Sequence, residues 1–323
     1  MALCLNSEVP KPDRHPTPDT PHPVVALVGP TGAGKTALAL ELAEALGAEI
    51  VNLDSRQVYR GLDIGSAKPT VVEQARVPHH LFDVAAPDFP FDCARYRELA
   101  AAAIDAIHRR HRRVLLVGGT GLYLKVLRYG LCPAPPRDPA LRAELEGRES
   151  GRAGTLHREL QQVDSESARR LHPHDRHRLI RALEVWYLTG RPLSLWQSEH
   201  GFARSERDIS VIGVTFERRV LYERINSRCR AMVDGGLIDE VRGLWARGYG
   251  PELPALASIG YRQIGAYLQG RCELAAALDD MARQTRHLAK RQLTWFRADP
   301  TVRWYNASEL EVRELVREFR AED

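Results

Sequence analysis

The sequence predicts an α/β protein with a doubly wound parallel sheet and a helical insertion domain. Two observations carry this prediction. Short apolar runs typical of buried strands alternate with helical segments, which is the pattern of a parallel sheet. Between 131 and 205 the alternation stops, and polar helical segments follow without a strand signal. We therefore expect a core domain built from 24–130 and 206–323, with 131–205 inserted between its parts.

The elements of the core follow one another in order. Val24–Val28 is an apolar run typical of a buried strand, and Lys35–Leu46 is a helix closed by Gly47. The remaining predicted elements are a strand at 48–53, a helix at 93–113, a strand at 114–119, a strand at 209–216, a mostly helical stretch at 217–298 and a last strand at 301–305.

Composition excludes several classes of protein. The chain has 323 residues and 44% hydrophobic residues, enough for a main domain with an extra module. No apolar run approaches the roughly 18 residues that cross a membrane, and 1–23 lacks the apolar core of a secretory signal. We predict a disordered tail at 1–23 and a cytoplasmic protein. The five cysteines are scattered without zinc-binding or disulfide spacing.

A phosphate-binding loop follows the first strand. Gly29, Gly34, Lys35 and Thr36 fit G-x-x-x-x-G-K-[ST], the P-loop motif, so the core is predicted to be of the P-loop type. Its backbone N–H groups and the start of the next helix favour phosphate, Lys35 adds a charge, and Thr36 can ligate Mg²⁺. Kinases, GTPases and ATP-binding motor proteins share this motif. The loop consists of Gly29, Pro30, Thr31, Gly32, Ala33, Gly34, Lys35 and Thr36.

Two further strand ends bear on the chemistry. Nucleotide hydrolases usually end a later strand with an acidic residue for the metal, but 114–117 leads into Gly118, Gly119 and Thr120. Asp54 follows the second strand, and the C-terminal ends of neighbouring strands in such a sheet line one crevice. Asp54 is therefore either a general base beside the loop or the cap of a turn.

Six motifs make the sequence similar to a known family. They are "GPTGAGKT", "LDSRQVYRGLDIGSAKP", "GGTGLY", "RLIRALEV", "SIGYRQ" and "AKRQLTWFR". From about Val24 to Tyr305 the chain resembles the tRNA dimethylallyltransferases. This resemblance implies that a dimethylallyl group passes from dimethylallyl diphosphate to the exocyclic amine of the adenine 3′ to the anticodon. It also implies Mg²⁺, tRNA as a partner and pyrophosphate as the leaving group.

The resemblance also implies roles for individual residues. Thr31 through Thr36, with Lys35, would hold the diphosphate and the metal, Arg224 would lie near the diphosphate, and Asp54 would receive the adenine amine as general base. Residues implied to contact tRNA are Asp54, Ser55, Arg56, Gln57, Thr120, Arg178, Arg181 and His177, which replaces the usual glutamine. Gly65-Ser66 replaces Gly-Thr and keeps the hydroxyl. The eukaryotic zinc finger is excluded by the cysteine spacing, so the bacterial form is implied, and we expect a monomer.

A basic helix is predicted at 283–297. One face carries Arg283, Arg286, Lys290 and Arg297, and we interpret it as a contact for RNA phosphates. The alternative is a solvated helix face. The opposite side carries Leu288, Trp295 and Phe296, and we expect Trp186, Trp196 and Trp295 in the core.

Three other functions stay open on the residues alone. An adenylate isopentenyltransferase would share the loop but would not need the insertion or the basic helix. A small-molecule P-loop kinase would share the loop and perform phosphoryl transfer. A non-catalytic RNA-binding protein would not need Lys35, Thr36 and Asp54 intact.

Overall fold

The computed structural model describes residues 23–321 and divides them into two compact units. The first unit contains 23–123 and 209–321, and the second is Leu124–Asp208. The inserted unit thus begins at 124 and ends at 208, whereas the bounds predicted from the sequence are 131 and 205. The tail predicted at 1–23 lies outside the described residues except for Pro23.

The first unit contains a parallel sheet whose order, in the described part of the chain, is β3-β2-β4-β1-β5-β6. The strands are β1 (Val24–Val28), β2 (Ala48–Leu53), β3 (His79–His80), β4 (Arg113–Gly118), β5 (Ile209–Thr215) and β6 (Val302–Asn306). Because β1 is flanked by β4 and β5, all its residues are buried, which explains its unbroken apolar run. The predicted fold class is confirmed.

Helices account for most of the remaining described residues. In chain order they are α1 (Lys35–Leu46), α2 (Val71–Gln74), α3 (Cys93–Arg109), α4 (Gly121–Tyr129), α5 (Pro139–Gly151), α6 (Thr155–Val163), α7 (Ser165–Arg170), α8 (Arg176–Thr189), α9 (Leu193–His200), α10 (Arg218–Asp234), α11 (Leu237–Ala246), α12 (Tyr261–Leu268), α13 (Leu274–Arg297) and α14 (Val312–Ala321). None of the described helices is long and apolar enough to cross a membrane.

Some elements differ from the prediction. The helix expected at 93–113 ends at Arg109, because Arg113 already belongs to β4. The short elements β3 and α2 were not predicted, and neither was α14. Its buried residues Leu315 and Phe319 belong to the same apolar cluster as Leu40 of α1. Because α14 packs against a segment that is distant in the sequence, no local sequence pattern predicts this helix.

Each unit has its own apolar core. In the first unit, a second cluster packs the segment from Val58 to Leu62 against α10, α11 and α12. This cluster fixes the chain that follows β2 against the helices that follow β5. In the second unit, Leu145, Leu160 and Leu183 belong to a separate cluster formed by α5, α6 and α8.

Candidate active site

The phosphate loop lies between β1 and α1. Its backbone conformation and close packing require glycine at Gly29 and favour it at Gly34. At Gly29, where φ is 148°, a Cβ would lie 2.2 Å from the carbonyl oxygen of Val214 on the neighbouring strand. Gly34 adopts φ 79° as the residue before α1, and this helix start has no side-chain cap. The first N–H groups of α1 therefore remain available for an anion.

Lys35 is folded back onto its own loop. Its Nζ donates to the carbonyl oxygens of Gly29 (3.0 Å) and Pro30 (2.9 Å). Burial of the ammonium group lowers the pKa of Lys35 to about 8; the charge of Arg228 acts in the same direction and that of Asp54 opposes it. A bound diphosphate would supply the negative charge that this ammonium group lacks.

Arg224 reaches the loop from α10. Its Nε donates to the carbonyl oxygen of Gly32 at 3.0 Å, and its guanidinium lies 4.4 Å from the centre of the Phe216 ring. A cavity of about 680 Å³ opens here, and Lys35, Thr36 and Arg224 are among the residues that line it. The structure thus places Thr31, Gly32, Gly34, Lys35, Thr36 and Arg224 around one space.

Asp54 directly follows β2 and lies in a tight turn. The buried Asn52 side chain accepts from Asp54 N (2.8 Å) and donates to Asp54 O (3.0 Å), while Asp54 Oδ1 accepts from Arg56 N (2.8 Å). Asp54 is therefore the cap of a turn, as one of the two interpretations held. Among the described residues, however, none donates a hydrogen bond to Oδ2, so this oxygen remains available to a substrate.

Thr120 forms hydrogen bonds with the two residues on either side of Asp54, because β2 and β4 are adjacent strands. Thr120 Oγ1 accepts from Ser55 N at 3.0 Å, and Thr120 N donates to Leu53 O at 3.1 Å. The strands approach so closely that a Cβ on Gly118 would lie 2.2 Å from Leu53 O. Gly118, the last residue of β4, is thus needed for this junction.

The other two predicted residues of this turn have partners in the protein. Arg56 Nη1 donates to Pro254 O at 3.3 Å, and Gln57 Nε2 donates to Ser66 O (3.2 Å) and Ala67 O (2.9 Å). Gln57 thereby connects the turn after β2 to the "GSAKP" segment.

The "GSAKP" segment is held by α11 and α12. Glu240 accepts from Ile64 N (2.7 Å) and Gly65 N (3.2 Å), and Tyr261 Oη donates to Glu240 Oε1 at 2.5 Å. A Cβ on Gly65 would lie 2.5 Å from the Tyr261 ring, so only glycine fits there. This contact joins the "DIGSAKP" and "SIGYRQ" motifs, and Ser66 lines the phosphate cavity beside it.

A second cavity, of about 500 Å³, adjoins the phosphate cavity. The two cavities share five lining residues, which are Thr31, Asp54, Ser66, Arg228 and Gln292. Ser55, Arg56 and Thr120 line the second cavity alone. Asp54 therefore lies where a phosphate-binding space meets a second space that is open to another substrate.

Two of the shared residues were missed by the sequence analysis. Gln292 of α13 accepts from Thr31 N (2.9 Å) through Oε1 and donates to Gly119 O (3.1 Å) through Nε2. Arg228 of α10 is half-buried, and this burial lowers its pKa, against the opposing effect of Asp54. The only available signal was the position of Gln292 inside the "AKRQLTWFR" motif.

The basic residues predicted on one face of α13 line neither of these two cavities; they are Arg283, Arg286, Lys290 and Arg297. Arg286 Nη1 donates to Asn226 Oδ1 at 2.6 Å, Arg283 pairs with Asp280 at 2.5 Å, and Lys290 is exposed. Arg283 and Arg286 line a separate cavity of about 510 Å³.

The tryptophans differ from the prediction. Trp295 was expected in the core, but 44% of it is exposed, and its ring covers Gly121, where a Cβ would lie 2.0 Å away. Trp186 and Trp196 are half-buried. The prediction of buried tryptophans was wrong because a large apolar side chain does not by itself indicate which face of its helix packs against the core.

In the second unit, α8 carries the three other residues implied to contact tRNA. His177 and Arg178 are exposed, and within the described residues the Arg178 side chain makes only a long ion pair of 3.4 Å with Asp175. Arg181 instead donates to the fully buried Glu184 (2.6 Å) and to Pro135 O (2.7 Å). Arg181 therefore has a structural role whether or not it contacts RNA.

The profile of the IPP transferase family matches residues 57–299. The chain belongs to the IPP transferase family. The resemblance drawn from the six motifs is thus confirmed, and the chain is a transferase.

Known members of the IPP transferase family are similar over nearly the whole chain. The tRNA dimethylallyltransferase of Geobacter sulfurreducens is 52% identical over 283 residues, covering 87% of this chain and 91% of the relative. The solved tRNA isopentenylpyrophosphate transferase of Bacillus halodurans is 39% identical with a TM-score of 0.70, covering 93% and 96% of the two chains. A eukaryotic dimethylallyltransferase, solved while acting on tRNA, is 25% identical with a TM-score of 0.77, covering 93% and 77%.

Proposed function

We propose that this chain transfers the dimethylallyl group of dimethylallyl diphosphate to the exocyclic amine of the adenine 3′ to a tRNA anticodon, releasing pyrophosphate. Curated relatives named tRNA dimethylallyltransferase and a solved relative acting on tRNA support this activity. The observation that carries it is the position of Asp54, which lines both the phosphate cavity and the second cavity.

The diphosphate would bind at the loop. The N–H groups at the start of α1 face it, and Lys35 and Arg224 supply two positive charges on the same cavity. On binding, the Lys35 ammonium would exchange its two carbonyl partners for phosphate oxygens. Charge-assisted hydrogen bonds of this kind stabilise the negative charge that grows on the departing diphosphate.

Asp54 would receive the proton. An exocyclic adenine amine is a weak nucleophile because its lone pair is delocalised into the ring. As the amine nitrogen bonds to the allylic carbon, the carbon–oxygen bond to the diphosphate breaks and its electron pair leaves with pyrophosphate. The amine proton passes to Asp54, whose Oδ2 has no donor among the described residues.

The donor set suits Mg²⁺. The ion usually binds through few protein oxygens, several waters and substrate phosphates, without a dedicated cluster of protein ligands. The described residues contain no group of three or more His, Cys, Asp or Glu side chains that could hold a metal, but the Thr36 hydroxyl stands at the phosphate cavity. Thr36 would hold the ion, which when bound neutralises charge on the leaving group.

The adenine would enter through the second cavity. It must leave its stack to reach the allylic carbon, and bases in RNA loops unstack at low cost. Ser55, Arg56 and Thr120 surround that approach. Outside the cavities, α8 and α13 offer the exposed cations Arg178 and Lys290 to the anticodon stem-loop. We place the reaction in the cytoplasm, with a monomer as the acting species.

One experiment tests the proposal against its alternatives. The protein is incubated with labelled dimethylallyl diphosphate and an anticodon stem-loop, with the same stem-loop carrying guanine in place of the target adenine as control. AMP and ATP are offered in separate reactions. We expect label only in the adenine-containing RNA. Label in AMP would indicate an adenylate isopentenyltransferase, and label in neither, with phosphoryl transfer from ATP, would indicate a kinase.

A further inference from the structure

Trp295 is an exposed aromatic side chain that lies against the "GGTGLY" segment. Its exposed fraction is 44%, and a Cβ on Gly121 would lie 2.0 Å from its indole ring. Leu122, the residue after Gly121, is 45% exposed. Among the described residues, none accepts a hydrogen bond from the indole N–H of Trp295. A large ring with a free N–H that stays partly uncovered is suited to contact with a partner molecule.

The side of α13 that carries Trp295 also forms a wall of the second cavity. The cavity-lining residues of α13 recur three or four positions apart, which places them on one side of the helix; they are Met281, Gln284, Thr285, Leu288, Arg291 and Gln292. Trp295 is the next residue on this side, seven positions after Leu288. Thr120, which directly precedes Gly121, lines the same cavity. Two segments of the chain therefore place Trp295 at the edge of the space that we assign to adenine.

The charge around Trp295 favours a polyanion as its partner. Lys290, Arg291 and Arg297 are exposed on the same part of α13, and no Asp or Glu occurs between Arg283 and Ala298. Proteins bind unpaired nucleotides with this combination, because an aromatic ring stacks on the base while cations contact the phosphates. RNA therefore fits this surface better than an apolar protein segment does.

We propose that Trp295 is a stacking surface for the unpaired base next to the target adenine. The inference rests on the proposed function, in that the second cavity receives this adenine. When the adenine leaves its stack, the neighbouring base loses a stacking partner. The Trp295 ring at the edge of the cavity would replace that partner, and so reduce the cost of extruding the adenine. Trp295 would thus act in RNA binding and take no part in proton transfer.

Anticodon stem-loops that lack a single base test this proposal. One RNA lacks the base 5′ to the target adenine, a second lacks the base 3′ to it, and a third lacks a loop base remote from it. Fluorescence anisotropy gives Kd for each RNA and for the intact stem-loop, with wild type and with Trp295→Ala. Removal of the stacked base should weaken binding to the wild type by roughly 5- to 150-fold more than binding to Trp295→Ala. The flank that shows this coupling identifies the stacked neighbour.

Two further variants of Trp295 separate stacking from apolar contact. Trp295→Phe keeps an aromatic face and should retain part of the coupling, whereas Trp295→Leu keeps apolar bulk without that face and should lose it. Phe89→Ala is the matched control, because Phe89 is an aromatic residue that is 49% exposed and lines neither cavity. It should show the coupling of the wild type. Each coupling compares RNAs on one protein preparation, so a loss of active protein cancels.

The outcomes separate this proposal from the proposed function. Equal losses of affinity in wild type and Trp295→Ala at both flanks would overturn the stacking role and leave the transferase intact. Coupling confined to the remote base would overturn the assignment to a neighbour of the adenine. Full coupling in Trp295→Leu would show apolar contact without stacking, which also contradicts the proposal. Transfer of the dimethylallyl label to the intact RNA by the wild type, measured separately, decides the proposed function.

Discussion

The phosphate loop and the basic helix surfaces both carry cations, but they hold them differently. Lys35 donates to two carbonyl oxygens of the loop, and Arg224 donates to a third. On the surfaces, Lys290 is exposed and no described residue accepts from its ammonium group, while the Arg178 side chain is 70% exposed. One region fixes its charges before substrate arrives, and the other leaves them solvated.

This difference separates catalysis from affinity. Fixed charges at the loop need little reorganisation when negative charge develops on the diphosphate, so their loss should reduce the rate. Solvated cations contribute mainly by releasing counterions from RNA, so their loss should change affinity and its dependence on salt. Arg181 belongs to neither group, because buried Glu184 already uses its guanidinium.

The sharpest test of the catalytic region is Asp54. Asp54→Ala should reduce turnover by roughly 10²–10⁴-fold, the range for loss of a general base. Asp54→Asn keeps an oxygen that can accept from Arg56 N and so preserves the turn, but it cannot take a proton. We expect both variants to lose turnover in single-turnover assays. Recovery of turnover by Asn would show that Asp54 acts only as a turn cap.

Lys35 tests whether the loop cations act on the diphosphate. Lys35→Ala should weaken dimethylallyl diphosphate binding and slow transfer by roughly 10- to 100-fold, as expected for one charge-assisted hydrogen bond. Equilibrium binding of the diphosphate and single-turnover rates measure both effects, with tRNA affinity as the control that should stay unchanged. Wild-type affinity and turnover together would disprove the loop assignment.

Arg181 and Arg178 provide a matched pair on α8. Arg181→Ala should lower the free energy of unfolding of the helical unit by about 1.5–3 kcal/mol, because Glu184 loses a charged hydrogen-bond partner. Arg178→Ala should change it by less than about 0.5 kcal/mol, as usual for a surface site. Hydrogen exchange of the α5 and α8 amides reports on this unit alone. Equal effects of the two variants would contradict a structural role for Arg181.

The pH dependence of binding tests the lowered pKa of Lys35. With a pKa of about 8 in the free protein, the ammonium loses its proton as pH rises through 8. A bound diphosphate favours the charged form, so above pH 8 binding must take up a proton, and affinity should fall by up to about tenfold per pH unit. Lys35→Arg stays charged in this range, which makes it the control for titration of the ligand itself. A wild type that parallels Lys35→Arg would show that the Lys35 proton is not involved.

Lys290 gives the smallest expected effect. Lys290→Ala should lower the slope of log K for tRNA against log salt by about 0.7–0.9, the loss of one phosphate contact. It should leave turnover at saturating tRNA close to the wild type. The test is to measure tRNA affinity over a range of salt concentrations, together with single-turnover rates. An unchanged slope would mean that Lys290 is only solvated, and a collapse of turnover would assign it to the reaction instead.

Features that depend on residues close together in the sequence could be predicted, and features that depend on contacts between distant segments could not. The loop, its flanking strand and helix, and the turn at Asp54 could be predicted because neighbouring residues determine them. Gln292 and Arg228 could not, because they reach the site from α13 and α10, and a helical period does not say which of several faces meets a distant loop. The prediction that Trp295 is buried in the core was wrong for the same reason.

The order of the sheet has a consequence for synthesis on the ribosome. The inner strand β1 gains its neighbour β4 first, and its other neighbour, β5, follows only after the whole helical unit has been translated. At roughly 5–20 residues per second, that interval lasts several seconds. During it, the nascent chain carries an apolar strand whose second edge has no partner, and such edges invite pairing with other chains. The growing polypeptide should therefore remain prone to aggregation, and dependent on chaperones, until β5 emerges.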